Sequence, residues 1–253
     1  MTESDRMPGS LPLTVPGSLP RIAVLGAGHV GPAIARVALA AGYPVTLAAS
    51  GDPEKIALIT QILVPGAEPR WAVDAVRDAD LVVLAIPLHR FPYFDAGLVA
   101  GKLVVDTMNY WPPTDGVQEM FEDPRYGSSE IVARRLAGSV VVKTFNHTGY
   151  HELEEQRRPT GDPQRRALGV AGDDKGATDL VAELVERVGY DAVRVDSLAA
   201  GRLFEPGARL RCLAAPTRLR VGRGRRTAAR PDAYRRRPGR LRLTDQPSPT
   251  AAP

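Results

Sequence analysis

The sequence predicts an α/β fold in which a doubly wound, mostly parallel sheet carries helices on both faces. Three observations lead there. Short apolar runs such as RIAVLG (21–26), DLVVLAIP (80–87) and SVVVKTFNH (139–147) alternate with stretches of helix formers. These runs are apolar throughout rather than at every second residue, which marks strands buried on both faces. A glycine-rich turn, GAGHVG (26–31), joins the first run to the first helix. Between residues 21 and 205 there is no internal repeat and no clear linker.

Each element follows in order. RIAVLG (21–26) is the first strand, bounded by glycine. HVGPAIARVALAAGY (29–43) sets Val30, Ile34, Val37 and Leu39 near helical spacing and ends at Gly42. PVTLAAS (44–50) is the second strand. DPEKIALITQIL (52–63) opens with an aspartate cap and a proline at the first helical position. DAVRDA is a short helix before the buried strand DLVVLAIP, and GKLVVDTMN (101–109) is the next strand. SSEIVARRLA (128–137) is a capped helix leading into SVVVKTFNH. RALGVAGDD (166–174) is a strand, GATDLVAELVERVGY (176–190) an amphipathic helix, and DAVRVDS (191–197) the last strand.

Composition bounds the class. The chain has 253 residues, is 43% apolar and holds one cysteine, Cys212. That is enough for a sizeable core in one domain or at most two. A single cysteine excludes a disulfide within the chain and an all-cysteine metal site, and makes a reducing compartment, the cytoplasm, the expected location. No apolar run approaches the roughly 18 residues of a membrane helix, and the opening MTESDRMPGSLPLTVPGSLP lacks the basic segment and apolar core of a signal peptide. Residues 1–20 read as a disordered leader, 21–208 as the folded domain and 209–253 as a disordered tail rich in arginine and proline. The net charge of +4 conceals a split, because residues 211–253 hold twelve arginines and only two acids, Asp232 and Asp245, over an acidic body. Out-of-frame reading of GC-rich DNA yields this bias, and that is the favoured reading. A solvated linker comes second and a nucleic-acid arm last. No membrane partner is expected.

The turn at 26–31 carries the chemistry. Gly26, Gly28 and Gly31 form GxGxxG directly after a strand and at the mouth of a helix, the context that turns a weak motif into a dinucleotide site. Gly26 permits the sharp turn, Gly28 lets backbone approach a pyrophosphate, and Gly31 lets helix and strand pack closely. With Ala27, His29 and Val30 between them, these residues present free amides to the phosphates. The sheet is thus of the Rossmann type. The end of the second strand selects the dinucleotide. An NAD site places an acid there, whereas here LAASGDPEK puts Ser50 in that place with Lys55 one turn into the next helix. A small hydroxyl with a nearby cation favours NADP(H), and Asp52 is committed as helix cap.

Ligands bind outside the carboxyl ends of such strands. Three of those ends carry unusual residues: IPLHR after the strand at 80–86, DTMNYWPPTDG after 102–106, and NHTGYHE after 139–145. His89, Asn109, Tyr110, Trp111, Asn146 and His147 should converge on one crevice, where nicotinamide and redox partner meet. Ala85, Ile86 and Pro87 would floor the nicotinamide beside His89. Asn109, Asn146 and His147 would orient the partner ring, His147 by stabilising charge on its carbonyl. His151 with Glu152, Glu154 and Glu155 reads as the exposed start of a helix, and no metal is expected. No GxSxG or HExxH pattern is present.

Together RIAVLGAGHVGPAIA, VVLAIPLHR, VVDTMNYWPPTDG, VVVKTFNHTGYHELEE, ALGVAGDD and LAAGRLFEPG resemble the NADPH-dependent F420 reductase family over residues 21 to about 208. The resemblance implies hydride transfer between NADP(H) and the deazaflavin coenzyme F420, a small-molecule redox partner. Ser50 and Lys55 fit the family's 2′-phosphate pattern, while Gly51 stands where arginine is common. A homodimer is left open. Two alternatives stand: another NADPH-dependent reductase acting on an imine, a flavin or a small carbonyl, and a non-catalytic dinucleotide-binding protein.

Overall fold

The computed structural model describes residues 18–206. The expected leader, apart from its last three residues, and the expected tail lie outside the described residues. Leu19, assigned to the leader, packs against the core beside Gly42, so the packed body begins before Arg21.

In chain order the elements are β1 (Ile22–Leu25), α1 (Val30–Ala40), β2 (Val45–Ala48), α2 (Glu54–Leu63), β3 (Glu68–Pro69), α3 (Ala72–Asp78), β4 (Leu81–Leu84), β5 (Leu103–Asp106), α4 (Pro112–Asp115), α5 (Ser128–Arg135), β6 (Val140–Lys143), α6 (Glu152–Glu155), β7 (Ala167–Gly172), α7 (Lys175–Arg187) and β8 (Asp191–Val195). Short 3-10 segments interrupt the connections, the last of them, among the described residues, at Leu198–Phe204. The strands form one sheet in the order β3-β2-β1-β4-β5-β6-β7-β8. β1 to β6 are mutually parallel, in the register Ile22↔Val45 and Ile22↔Leu81. The doubly wound α/β fold is the one the sequence predicts.

Alternation of side chains across each strand fills two cores. Ile22, Val24, Val83 and Val105 pack under Ile34 and Val37 of α1 and Val181 and Val185 of α7. Ala23, Val82 and Val104 face the other way, under Val76 of α3, Phe91 and Val132 of α5. Caps fall where short polar side chains stand. Asp52 Oδ1 accepts from Glu54 N at 2.9 Å, and Asp174 Oδ1 accepts from Ala177 N at 2.7 Å. Among the described residues no helix is long and apolar enough to cross a membrane.

Two features depart from the sequence expectation. The two-residue β3 pairs with Thr46 and Leu47, and its Glu68–Pro69 sequence carries no apolar signal. β7 runs antiparallel to β6, through Lys143↔Ala171. The connection between them holds only the four-residue α6, so the chain re-enters the sheet at the end where β6 finished. β8 then pairs parallel to β7 after the crossover of α7.

The turn at Leu198–Phe204 folds back over β7 and closes the molecule beneath the strand ends. It fits because residue 169 has no side chain: a Cβ there would stand 2.2 Å from Phe204 Cζ. Phe204 is buried and its ring stacks on His147 at 4.8 Å between centroids. Gly169→Ala should lower stability by about 1–3 kcal/mol through overpacking. Phe204→Ala should cost about 3–5 kcal/mol through its cavity. In the Phe204→Ala background the Gly169 change should add little, because the two residues share one contact. Thermal denaturation of the two single variants and the double variant checks this, and additive losses would show that ring and glycine do not compete for the same space.

Candidate functional site

The loop from Gly26 to Gly31 sits at the point where the chain turns away from the sheet in two directions, between the ends of β1 and β4. Gly26 has φ +128°, a conformation closed to ordinary side chains, and a Cβ on it would lie 2.2 Å from Ala85 O. A Cβ on Gly31 would lie 1.9 Å from Gly26 O, so α1 meets its own preceding turn only because this residue is bare. Gly28 is different: a Cβ on it would meet nothing within 4 Å, because this glycine faces open space. The start of α1 has no side-chain cap and no acid in its first turn. Among the described residues the amides of Ala27 to Gly31 donate no hydrogen bond to the chain. Unpaired amides, the positive end of a helix and an open face of backbone are what a pyrophosphate needs. His29 ends the loop and stacks on Tyr150 at 5.0 Å, beside a cleft of about 400 Å³.

At the end of β2, Ser50 and Lys55 are both exposed, and Lys55 makes no ion pair among the described residues. Asp52 is held by the Glu54 amide, as the capping pattern required. Arg70, directly after the unforeseen β3, donates its amide to Leu47 O at 3.0 Å, which brings it next to the end of β2. Its guanidinium is bonded to Asp78 at 2.7 Å.

The ends of β5 and β6 come together through side chains. Asn109 Nδ2 donates to Asn146 O at 2.6 Å, and Asn146 Nδ2 donates back to Asn109 Oδ1 at 2.8 Å and to Phe204 O at 2.9 Å. Phe145, just before Asn146, has φ +62°, a left-handed conformation rare outside glycine and asparagine. Gly169 N donates to His147 Nε2 at 2.9 Å. Nε2 is therefore the bare nitrogen, and Nδ1, which lies 3.2 Å from Asn146 Oδ1, carries the hydrogen and donates it there. Both ring nitrogens are committed inside the protein. This corrects the role expected of His147: no N–H is left to stabilise a carbonyl, and the ring instead holds Asn146. Both hydrogens of Asn146 Nδ2 are spent as well. Asn109, half-buried, keeps one amide hydrogen uncommitted.

The other strand-end residues make contacts of their own. Ala85 and Ile86 are half-buried and Pro87 exposed after β4. His89 lies with Nδ1 3.8 Å from Asp115 Oδ1, against the α4 turn, and makes no bond to the asparagine pair. Tyr110 turns to Phe121, at 5.4 Å between rings, and to Glu122. Trp111 is half exposed. Glu154 is taken by Arg36 at 2.8 Å, and His151 stands at the start of α6 as an exposed helix end.

Sequence reading passes over one group altogether. Lys143, at the end of β6, is completely buried together with Asp106, Ser128 and Ser129. The signal was present, since a lysine closing an apolar parallel strand, VVVK, must find partners inside.

Residues 21–110 match the family described as NADP oxidoreductase, coenzyme F420-dependent. The family found is the one the sequence resembles, over β1 to the loop after β5. Among solved structures, a hypothetical protein from Sinorhizobium meliloti is 28% identical with a TM-score of 0.66, over 78% of this chain and 97% of that one. A proposed F420-dependent NADP-reductase from Arthrobacter sp. FB24 is 24% identical with a TM-score of 0.61, over 72% of this chain and 87% of that one. The 3-hydroxyisobutyrate dehydrogenase of Mycobacterium tuberculosis, at 19% identity and a TM-score of 0.51, covers 73% of this chain, which spans 57% of it, and shares the fold alone. Curated proteins give no match.

Burial, with the Lys143 cation nearby, pulls the His147 pKa from 6.5 down to about 4. The unfolded chain takes up this proton near pH 6.5 and the folded chain only near pH 4. The histidine's contribution to stability is therefore complete above pH 6.5 and is lost as the pH falls from there to about 4, by roughly 3 kcal/mol at most. Melting temperatures measured from pH 7 to pH 4 should fall less steeply in His147→Gln, which keeps an acceptor for Gly169 N and cannot titrate. Equal slopes would assign the loss to other groups.

Proposed function

We propose that this protein is an oxidoreductase that passes a hydride between NADP(H) and a deazaflavin, coenzyme F420. The observation that carries the reading is the open, uncapped face of the 26–31 loop, where the amides of Ala27 to Gly31 stay unpaired among the described residues. The F420 half of the reading is supported by the family match and by the resemblance of the strand-end motifs.

Bound NADP(H) would supply a hydride donor or acceptor at its nicotinamide ring. The chain's own residues bind, orient and exclude water. The amides of Ala27 to Gly31 receive the pyrophosphate. Ser50 and Lys55 receive the 2′-phosphate, the hydroxyl by hydrogen bonding and the ammonium by charge. Ala85, Ile86 and Pro87 offer the nicotinamide an apolar floor, with His89 at its border. Asn109 offers its remaining amide hydrogen to an oxygen on the partner ring. Asn146 and His147 keep Asn109 in place. Two rings held at reacting distance in a dry crevice need little acid–base help, and none is provided by the side chains that face it.

Three substitutions test the dinucleotide. Gly28→Ala should fold with an unchanged melting temperature and lose affinity for NADPH and NADH alike, because its methyl enters only the open space. Ser50→Asp should reverse a ten- to hundredfold preference for NADPH, since a carboxylate repels the phosphate and accepts from ribose hydroxyls. Lys55→Ala should weaken NADPH and leave NADH unchanged. Fluorescence titration with both cofactors measures all three, and a parent with equal affinities would refute the selector.

The acceptor is tested by following NADPH absorbance with F420, a free flavin, a cyclic imine and a small carbonyl compound. Oxidation with F420 above all others is the expected result. Turnover with the imine or the flavin and none with F420 would replace this acceptor, and turnover with none of them would favour a binding protein over an enzyme.

A further inference from the structure

Beneath the asparagine pair lies a closed cluster that the binding scheme does not use. Lys143 and Asp106 have no exposed surface at all. They end two neighbouring parallel strands and stand opposite each other in register. Lys143 Nζ donates to Ser129 Oγ at 2.7 Å, to Ser128 Oγ at 3.2 Å and to Met108 O at 3.3 Å, and lies 3.8 Å from Asp106 Oδ2. Ser129 Oγ passes the bond on to Asp106 Oδ2. Asp106 Oδ1 accepts from Met108 N at 2.9 Å. Met108 is thus pinned at both ends of its backbone, its N–H by Asp106 and its carbonyl by Lys143. The next residue is Asn109.

Such a cluster is costly to bury, and an apolar pair would serve stability as well. Its geometry points to another use. Fastening this turn from the neighbouring strand fixes the direction in which Asn109 leaves β5. Ser128 also receives the residue that follows the Leu198–Phe204 turn, since Glu205 Oε1 accepts from its amide at 2.7 Å and from its hydroxyl at 2.8 Å. The same connection carries Phe204 O to Asn146.

The geometry points to Lys143 as a positioning residue for hydride transfer: through Met108 it sets Asn109, and through Ser128 and the Phe204–Glu205 segment it sets Asn146, against the partner ring without touching substrate. This rests on the functional reading above. It predicts a split between binding and turnover, because the dinucleotide loop lies on β1 and does not depend on the cluster.

The test uses the full chain with Lys143→Met and the double variant Lys143→Met/Asp106→Asn. The single variant orphans a buried carboxylate and should lower the melting temperature. The double variant removes that orphan and keeps an acceptor for Met108 N, so its stability should recover. In both, kcat with F420 should fall about ten- to a hundredfold, as a misplaced orienting group costs, while the Kd for NADPH stays within threefold. Recovery of kcat together with stability in the double variant would make the cluster a structural device only and overturn the proposal. So would an unchanged kcat in Lys143→Met.

A second readout needs no acceptor. In ¹⁵N-labelled protein the side-chain amides of Asn109 and Asn146 should resonate apart from the solvent-exposed ones and exchange slowly. In the double variant these signals should shift and lose protection. If the parent transfers hydride to no acceptor, the functional reading fails, and loss of amide protection would still establish the positioning. Unmoved amide signals would refute it whatever the activity.

Discussion

The upper edge of this molecule depends on how closely α1 approaches the turn that precedes it. Gly31 lies against Gly26 O and Gly26 against Ala85 O, at distances that leave no room for a methyl group on either residue. Those two bare positions let the helix begin directly over the ends of β1 and β4. A side chain at either would push the helix outward and carry its unpaired amides away from the crevice. Positive charge at this end therefore comes from backbone geometry, and of the three glycines of the turn the one that faces open space, Gly28, has no packing reason to be glycine.

The two halves of the site are built of different materials. The half on β1 and β2 is main chain, with one exposed hydroxyl and one exposed ammonium added. The half on β5 and β6 is side-chain amide, fixed by bonds that use nearly all of its donors. Asn146 spends both amide hydrogens, and His147 spends both ring nitrogens. Of these three, Asn109 alone retains an uncommitted amide hydrogen among the described residues. A wall with so few free groups can orient a ring but has little capacity to move protons, which suits hydride transfer.

That wall is also held from a distance in sequence. Phe204 supplies the carbonyl under Asn146 and the ring under His147, and Glu205 joins Ser128 beside the buried lysine. The turn at Leu198–Phe204 is the last described element, yet it forms the base of a site whose other members lie 58 residues or more earlier, in the case of Asn146 and Asn109. The antiparallel β7 makes this possible, because its Gly169 both leaves room for Phe204 and donates to His147.

The sequence by itself determined the doubly wound sheet, the glycine turn between β1 and α1 and the helix that follows β2. Each is written in a contiguous stretch whose physics is local: buried strands are apolar throughout, a tight turn needs glycine, a helix starts after a cap. It also marked the loops after β5 and β6, which meet through Asn109 and Asn146. It did not yield β3, whose two residues lack any pattern, nor the direction of β7, which follows from the lack of a full crossover helix. It passed over Lys143, and it misjudged His147, because a histidine in a loop looks the same whether its nitrogens face a ligand or the chain. Only the tertiary structure decided those points, since it alone brings Gly169, Phe204, Ser129 and Asp106 within bonding distance of residues far from them in sequence. Hydrogen-bond partners of that kind leave no period and no spacing to read.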